Sequence, residues 1–228
     1  MSQTLNNLKL VLFDLDWTLY DADQFYLQAW EMVATSVHQQ YLPAITISEL
    51  KTSLTNIWSE LGPTEPYLFN KWMSNYGIYN KEVVQLAFDT LHGNWIPHLQ
   101  PYEGVTEVLL KIAQKVKIAV LTEGRAGTQM RKIKALGLHS LFDEIFITDK
   151  IGAAKITSEP MKYVARHYDY RSSEILVVGD SYEKDITVPK LLGSHTALIL
   201  HSAEDANAAD YPDADLVLQS TASLINIL

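Results

Sequence analysis

The chain reads as an α/β protein: a parallel sheet with helices on both faces, interrupted near its start by a bundle of helices. Three observations predict this. Leu10-Val11-Leu12-Phe13 is an unbroken apolar run, as expected of a strand buried on both faces. From Gly104 onward short apolar runs alternate with helical spacing, and repeated strand-helix units must return over a sheet at each crossover. Between Leu19 and about Pro101 the spacing is helical throughout, with no candidate strand.

In chain order, the opening strand covers residues 8 to 14. Four helices follow, at Asp23 to Gln40, Ser48 to Leu61, Glu65 to Tyr76 and Asn80 to about Trp95. Gly62-Pro63, Gly77 and Pro97 punctuate them, and Ser48 and Asn80 are the expected N-caps. Trp30, Trp58, Trp72 and Trp95 fall one to each helix and are expected to fill the bundle core rather than line a cavity. After Gly104 come a helix at Val105 to Gln114, a strand at Val116 to Leu121, and a helix at Ala126 to Leu136 stopped by Gly137. Further strands are expected at Glu144 to Ile147, Ile175 to Val178, His195 to Leu200 and Asp215 to Leu218. Helices near Pro160 to His167, Asp185 to Leu192 and Ser220 to Ile227 separate or follow them. The division is therefore 1–20 with 98–228 for the sheet core, and 21–97 for the helical insert.

Composition narrows the function. With 228 residues, 47% of them apolar, the chain can bury a sizeable core. A net charge of −9 without any basic run argues against nucleic-acid binding. The absence of cysteine removes disulfides, thiol nucleophiles and thiolate metal sites. The seven histidines show no ligand spacing on one helix face. No segment approaches membrane-span length and the first residues lack a charged, apolar leader, so a cytoplasmic protein is expected, with no membrane partner.

Chemistry is expected where the strands end, because open α/β sheets form their ligand crevices at the carboxyl edge. The first strand runs into Asp14-Leu15-Asp16. Taken by itself, this segment is most simply a turn. Two carboxylates about 4 Å apart, however, repel by roughly 4 kcal/mol at an effective dielectric near 20, which calls for a cation or a shared proton. A second strand ends at Gly179-Asp180, with Asp185 at the start of the next helix; oxygen ligands from Asp14, Asp16 and Asp180 suit a hard cation such as magnesium. Thr122 ends a third strand, where it serves either as a helix cap or as an anion-binding hydroxyl. Lys155, in a loop, is in isolation an ordinary solvated lysine.

Together these residues resemble the haloacid dehalogenase-like (HAD) hydrolase superfamily, over the whole chain. Its D-x-D-x-T motif reads Asp14-Leu15-Asp16-Trp17-Thr18, its strand-ending threonine falls on Thr122, its lysine on Lys155, and its G-D-x-x-x-x-D motif on Gly179 to Asp185. The resemblance implies a Rossmann-like core, and the insert is similar to the family's helical cap, placed where a lid would be attached. It also implies a magnesium-dependent phosphatase acting on a small phosphorylated metabolite, whether nucleotide, sugar phosphate or phosphorylated organic acid. In that scheme Asp14 is the nucleophile that forms an aspartyl-phosphate, and Asp16 is the acid and then the base. Thr122 and Lys155 hold the phosphoryl oxygens. Asp14, Asp180 and the backbone carbonyl of Asp16 hold magnesium, with Asp185 behind them to orient a water on the cation or Lys155.

Two departures stand out: Trp17 occupies a position that is often glycine or asparagine in the family, and Lys155 is followed by Ile156-Thr157-Ser158 rather than by the common K-P-x-P pattern. Related activities stay open. Dehalogenases generally lack the second aspartate, so Asp16 counts against one. A phosphonate hydrolase needs a cap lysine, for which Lys51, Lys71 and Lys81 are available, and a sugar phosphomutase shares every core motif. A non-catalytic module that binds a phospholigand is the reading from another class.

Overall fold

The computed structural model describes residues 7–62, 65–201 and 208–227; the first residues, 1–6, and the Pro63 punctuation lie outside the described residues. The chain divides into two compact units, one running up to Ala22 and again from His98, the other Asp23–Pro97.

The first unit is built on six parallel strands: β1 (Leu10–Phe13), β2 (Lys117–Thr122), β3 (Glu144–Ile147), β4 (Ile175–Gly179), β5 (His195–Ile199) and β6 (Leu216–Leu218). Their order is β3-β2-β1-β4-β5-β6. Every residue of β1 is fully buried, which fits a central strand with neighbours on both sides. Phe13 pairs with Val120 on one side and Val178 on the other, so β1, β2 and β4 come to their carboxyl ends nearly level. The order reverses at β1, since the chain builds outward first to β3 and then the other way to β6. Such a reversal leaves a crevice at the carboxyl ends, and here it falls between β1 and β4.

Alternate residues of these strands point to one face. Leu10, Leu12, Ala119, Leu121, Ile175 and Val177 form a buried cluster with Met161 and Val164 of helix α8 (Glu159–Tyr168). Helix α5 (Val105–Ala113) begins after Gly104, whose φ of 77° is left-handed and whose added Cβ would sit 2.9 Å from that of Ala222. Helix α6 (Ala126–Ala135) follows β2, the one-turn α7 (Thr148–Ile151) follows β3, and the short α9 (Val188–Leu191) precedes β5.

Local structure departs from the sequence expectations in identifiable ways. Instead of one helix from Asp185 to Leu192, a π-helical turn spans Tyr182–Thr187 and leads into α9, with Pro189 in its first turn. Π-turns are rare and cluster at functional sites. The segment from Ser220 forms a 3-10 turn, Thr221–Asn226, rather than an α-helix.

The second unit holds α1 (Asp23–Gln40), α2 (Ile47–Leu61), α3 (Leu68–Ser74) and α4 (Lys81–His92). Helix α1 packs against α2 and α4, and α3 against the same pair. The cap of α2 is Thr46, not Ser48: Thr46 Oγ1 accepts from the Glu49 N–H at 3.2 Å while Glu49 Oε2 accepts from the Thr46 N–H at 2.9 Å, a reciprocal capping box. Asn80 caps α4 as expected, accepting from the Glu82 N–H at 2.8 Å. Trp30, Trp58 and Trp72 are buried in the bundle, with Trp30 meeting Trp58 and Phe69 at centroid distances of 6.0 Å. Trp95 lies beyond the end of α4, where Gly93 stops the helix, and stacks on Phe25 at 5.0 Å.

Candidate active site

The site is assembled at the carboxyl edge of β1, β2 and β4. The Asp14 N–H still donates to the Val178 carbonyl at 2.8 Å, so Asp14 begins one residue beyond the strand with its backbone fixed by the sheet. Its carboxylate is nearly buried, 8% exposed, and Lys155 Nζ donates to Oδ1 at 2.6 Å. The same ammonium lies 2.5 Å from Asp185 Oδ1. Lys155 is therefore a buried cation shared between two carboxylates, not a solvated loop residue. Burial alone would lower its pKa, but the charges of Asp14 and Asp185 outweigh it and hold the ammonium protonated.

Three carboxylates converge here. Oxygens of Asp14, Asp180 and Asp185 lie within 4.8 Å of one another. Burial raises Asp14 well above the usual carboxylate range despite the opposing pull of Lys155. Asp180 is pushed up to about 6, first by burial and then by the charge of Asp185. One lysine facing three carboxylates leaves negative charge uncompensated, and oxygen-only donors at this spacing fit a hard divalent cation such as magnesium. The structure thus brings Asp185 into the acidic cluster by its side chain, whereas the Asp16 carboxylate turns to Lys132, Tyr20 and Gln129.

Asp185 owes its place to Gly179 and the π-turn. Its Oδ2 accepts from the Ser181 N–H at 3.1 Å, closing the turn onto the end of β4. A Cβ on Gly179 would fall 2.3 Å from the Asp185 carboxyl carbon, so only glycine leaves room for the carboxylate. Thr18 donates to Asp180 Oδ1 at 3.4 Å, and Thr221 in turn donates to the Thr18 carbonyl at 2.6 Å. The preference for glycine or asparagine at this position has a backbone reason that Trp17 does not share: its φ is 54°, the left-handed conformation that glycine and asparagine adopt at least cost.

Thr122 ends β2, nearly buried, and is not the cap of the following helix; Arg125 holds that position, while the Ala126 N–H donates to Asp149 Oδ2 at 3.0 Å. Beside it, Glu123 links two loops, accepting from the Lys155 N–H at 3.0 Å and from Lys184 Nζ at 2.5 Å. Partial burial works to raise the Glu123 carboxyl, and Lys184 outweighs it, leaving the group below its ordinary range. This bridge gives the Lys155 loop an anchor that the missing K-P-x-P prolines do not supply.

Asp16 is surrounded by residues that the motifs do not include. Lys132 Nζ donates to both its oxygens at 2.9 Å, Tyr20 to Oδ1 at 2.5 Å and the Gln129 amide to Oδ2 at 3.1 Å. Gln129 also donates to Thr122 Oγ1 at 2.6 Å. The only sequence signal for Gln129 and Lys132 is their spacing on α6: each stands four residues before an apolar position, Ile133 and Leu136, where an inward-facing stripe would continue.

The chain is 28% identical over 224 residues to glyceraldehyde 3-phosphate phosphatase of Methanocaldococcus jannaschii, covering 97% of both chains. It is 26% identical over 220 residues to pyrophosphatase PpaX of Halalkalibacterium halodurans, covering 96% of this chain and 95% of that one. The crystal structure of a HAD phosphatase from Thermococcus onnurineus superposes with a TM-score of 0.68 at 21% identity, over 96% of this chain and 97% of that one, a likeness of fold. Residues 11–199 match the family described as haloacid dehalogenase-like hydrolase, and with its parallel sheet and strand-end carboxylates the chain belongs to that family.

Proposed function

We propose that this hydrolase is a magnesium-dependent phosphatase that acts on a small phosphomonoester through an aspartyl-phosphate on Asp14. The observation that carries this reading is the pairing of Asp14 with the buried Lys155 beside Asp180 and Asp185, at the edge of the sheet where a phosphate would approach. The names of the relatives support it, since both act on small phosphorylated compounds.

Each residue has a task its surroundings suit. Asp14, fixed at the end of β1, attacks phosphorus in line, and the departing oxygen takes the electron pair of the broken P–O bond. Lys155 and the Thr122 hydroxyl hold phosphoryl oxygens whose charge grows as the bond breaks. Asp16 supplies the proton the departing oxygen needs, and then takes one from the water that hydrolyses the aspartyl-phosphate. Asp14 and Asp180, with the Asp16 carbonyl, would hold magnesium, which when bound offsets the repulsion between carboxylate and phosphate. Asp185 acts through Lys155, keeping the ammonium beside Asp14.

The test is phosphate release from an aryl phosphate with and without magnesium. Wild-type protein should turn over only with the ion present and stop on chelation. Asp14→Asn should lose about a thousandfold or more while its circular dichroism is unchanged. Full activity in that variant overturns the assignment. A screen of phosphorylated metabolites then identifies the substrate.

A further inference from the structure

The cluster around Asp16 lies outside the four motifs, and it is more than a packing device. Lys132 is 1% exposed and Gln129 2%, both on α6, yet both direct their donors at the one carboxylate that the phosphatase reading needs to move protons. We infer that Lys132 and Gln129 are positioning residues that fix the orientation of the Asp16 carboxyl group in the site, and so govern the hydrolysis of the aspartyl-phosphate. The inference rests on the function proposed above.

Asp16 accepts from an ammonium on both oxygens, from a phenol on Oδ1 and from an amide on Oδ2. Bonds from three side chains to the two oxygens fix the rotation of this carboxyl group and so where it can reach into the site. That placement matters most in the second half of the reaction. There water adds to phosphorus, the bond from Asp14 oxygen to phosphorus breaks with its electron pair returning to Asp14, and the proton lost by water passes to Asp16. The products are inorganic phosphate, a free Asp14 carboxylate and a protonated Asp16.

Gln129 extends the same control to Thr122. Its amide nitrogen has two hydrogens, and the structure gives one acceptor to each: Asp16 Oδ2 and Thr122 Oγ1. With its oxygen accepting from Gln129, Thr122 has its own O–H available as a donor for a phosphoryl oxygen. One side chain therefore sets the relative placement of the proton acceptor and an oxygen-holding hydroxyl, which lie on different strand ends. Lys132 supplies the compensating charge that lets a carboxylate sit 15% exposed at this edge.

The experiment follows both halves of the reaction with p-nitrophenyl phosphate, a substrate whose leaving group departs without a proton. Lys132→Met keeps the length of the side chain and removes its charge. Nitrophenol should appear as a burst of one equivalent per enzyme, followed by a steady rate reduced about tenfold or more, with KM falling alongside kcat so that kcat/KM is little changed. Acid-quenched protein should carry phosphate on Asp14 by intact mass and peptide analysis. A role confined to stability would not move this partition. If Lys132→Met does not fold, Tyr20→Phe, which deletes a single hydroxyl donor to the same carboxylate, should show the same build-up with a fall of about threefold. A folded variant whose burst and steady rate match wild type, or fall together without phosphoenzyme, overturns the inference. Wild-type protein that releases no phosphate with magnesium overturns the phosphatase reading itself, and this inference with it.

Discussion

The two units bury different things. Among the described residues, every buried charged side chain, namely Asp14, Lys132, Lys155, Glu174 and Asp185, belongs to the sheet unit. The helical unit buries aromatic rings instead: Trp30, Phe69 and Trp72 are at most 7% exposed, and the Nε1 atoms of Trp30 and Trp72 find no acceptor. Burying a charge costs several kcal/mol unless a partner is held in good geometry, so the sheet unit needs a rigid frame for its ion pairs. A parallel sheet provides one, because strand ends are fixed by neighbours on both sides. Ring packing in the bundle tolerates an unpaired indole N–H, because the area each ring removes from water outweighs one lost hydrogen bond.

The largest expected test of this contrast is in the bundle. Trp72→Ala should lower stability by about 3–5 kcal/mol in urea unfolding, and Trp72→Phe should restore most of it. A cost below about 1 kcal/mol would mean that the rings are not what holds the helices together. In the sheet unit, Gly179→Ala forces a methyl against Asp185 and should cost about 1–3 kcal/mol, with a loss of phosphatase activity larger than the loss of stability.

A smaller effect is expected in acid. Glu174 joins the starts of β1 and β4, accepting from the Arg171 N–H at 2.8 Å, from Lys9 at 3.0 Å and from the Arg171 side chain at 3.1 Å. These bonds, the backbone N–H first among them, lower its pKa from an ordinary 4.5 to about 2. Because the folded value is the lower one, its stabilisation is complete above about 4.5 and disappears as pH falls toward 2. Glu174→Gln should therefore flatten the stability-pH curve in that window and leave the slope at neutral pH unchanged. The smallest change expected is a gain: Asp169 ends α8 at a φ of 54°, exposed, and Asp169→Gly should stabilise by about 0.5–1 kcal/mol in thermal unfolding.

Much of this was legible from local pattern. The extent of α1, the Asn80 cap, the apolar strands and the carboxylates at their ends follow from residue order alone, because strand burial and helix periodicity are properties of contiguous segments. Thr46 does not stand out as a cap in the sequence because Ser48 competes for the same role two residues away, and only the reciprocal bonds with Glu49 distinguish them. The π-turn was missed because its extra residue per turn is imposed by Asp185 folding back over Gly179.

By itself the sequence determined the α/β class, the strand-end positions of Asp14, Thr122 and Asp180, and the family resemblance, all carried by short motifs. Tertiary structure decided which cation faces which carboxylate. Lys155 reaches Asp14 across 141 residues and Lys132 reaches Asp16 across 116, and no local pattern encodes such a pairing. The physical reason is that an ion pair depends on two side chains meeting in a buried space, and that space exists only after the sheet has closed around β1.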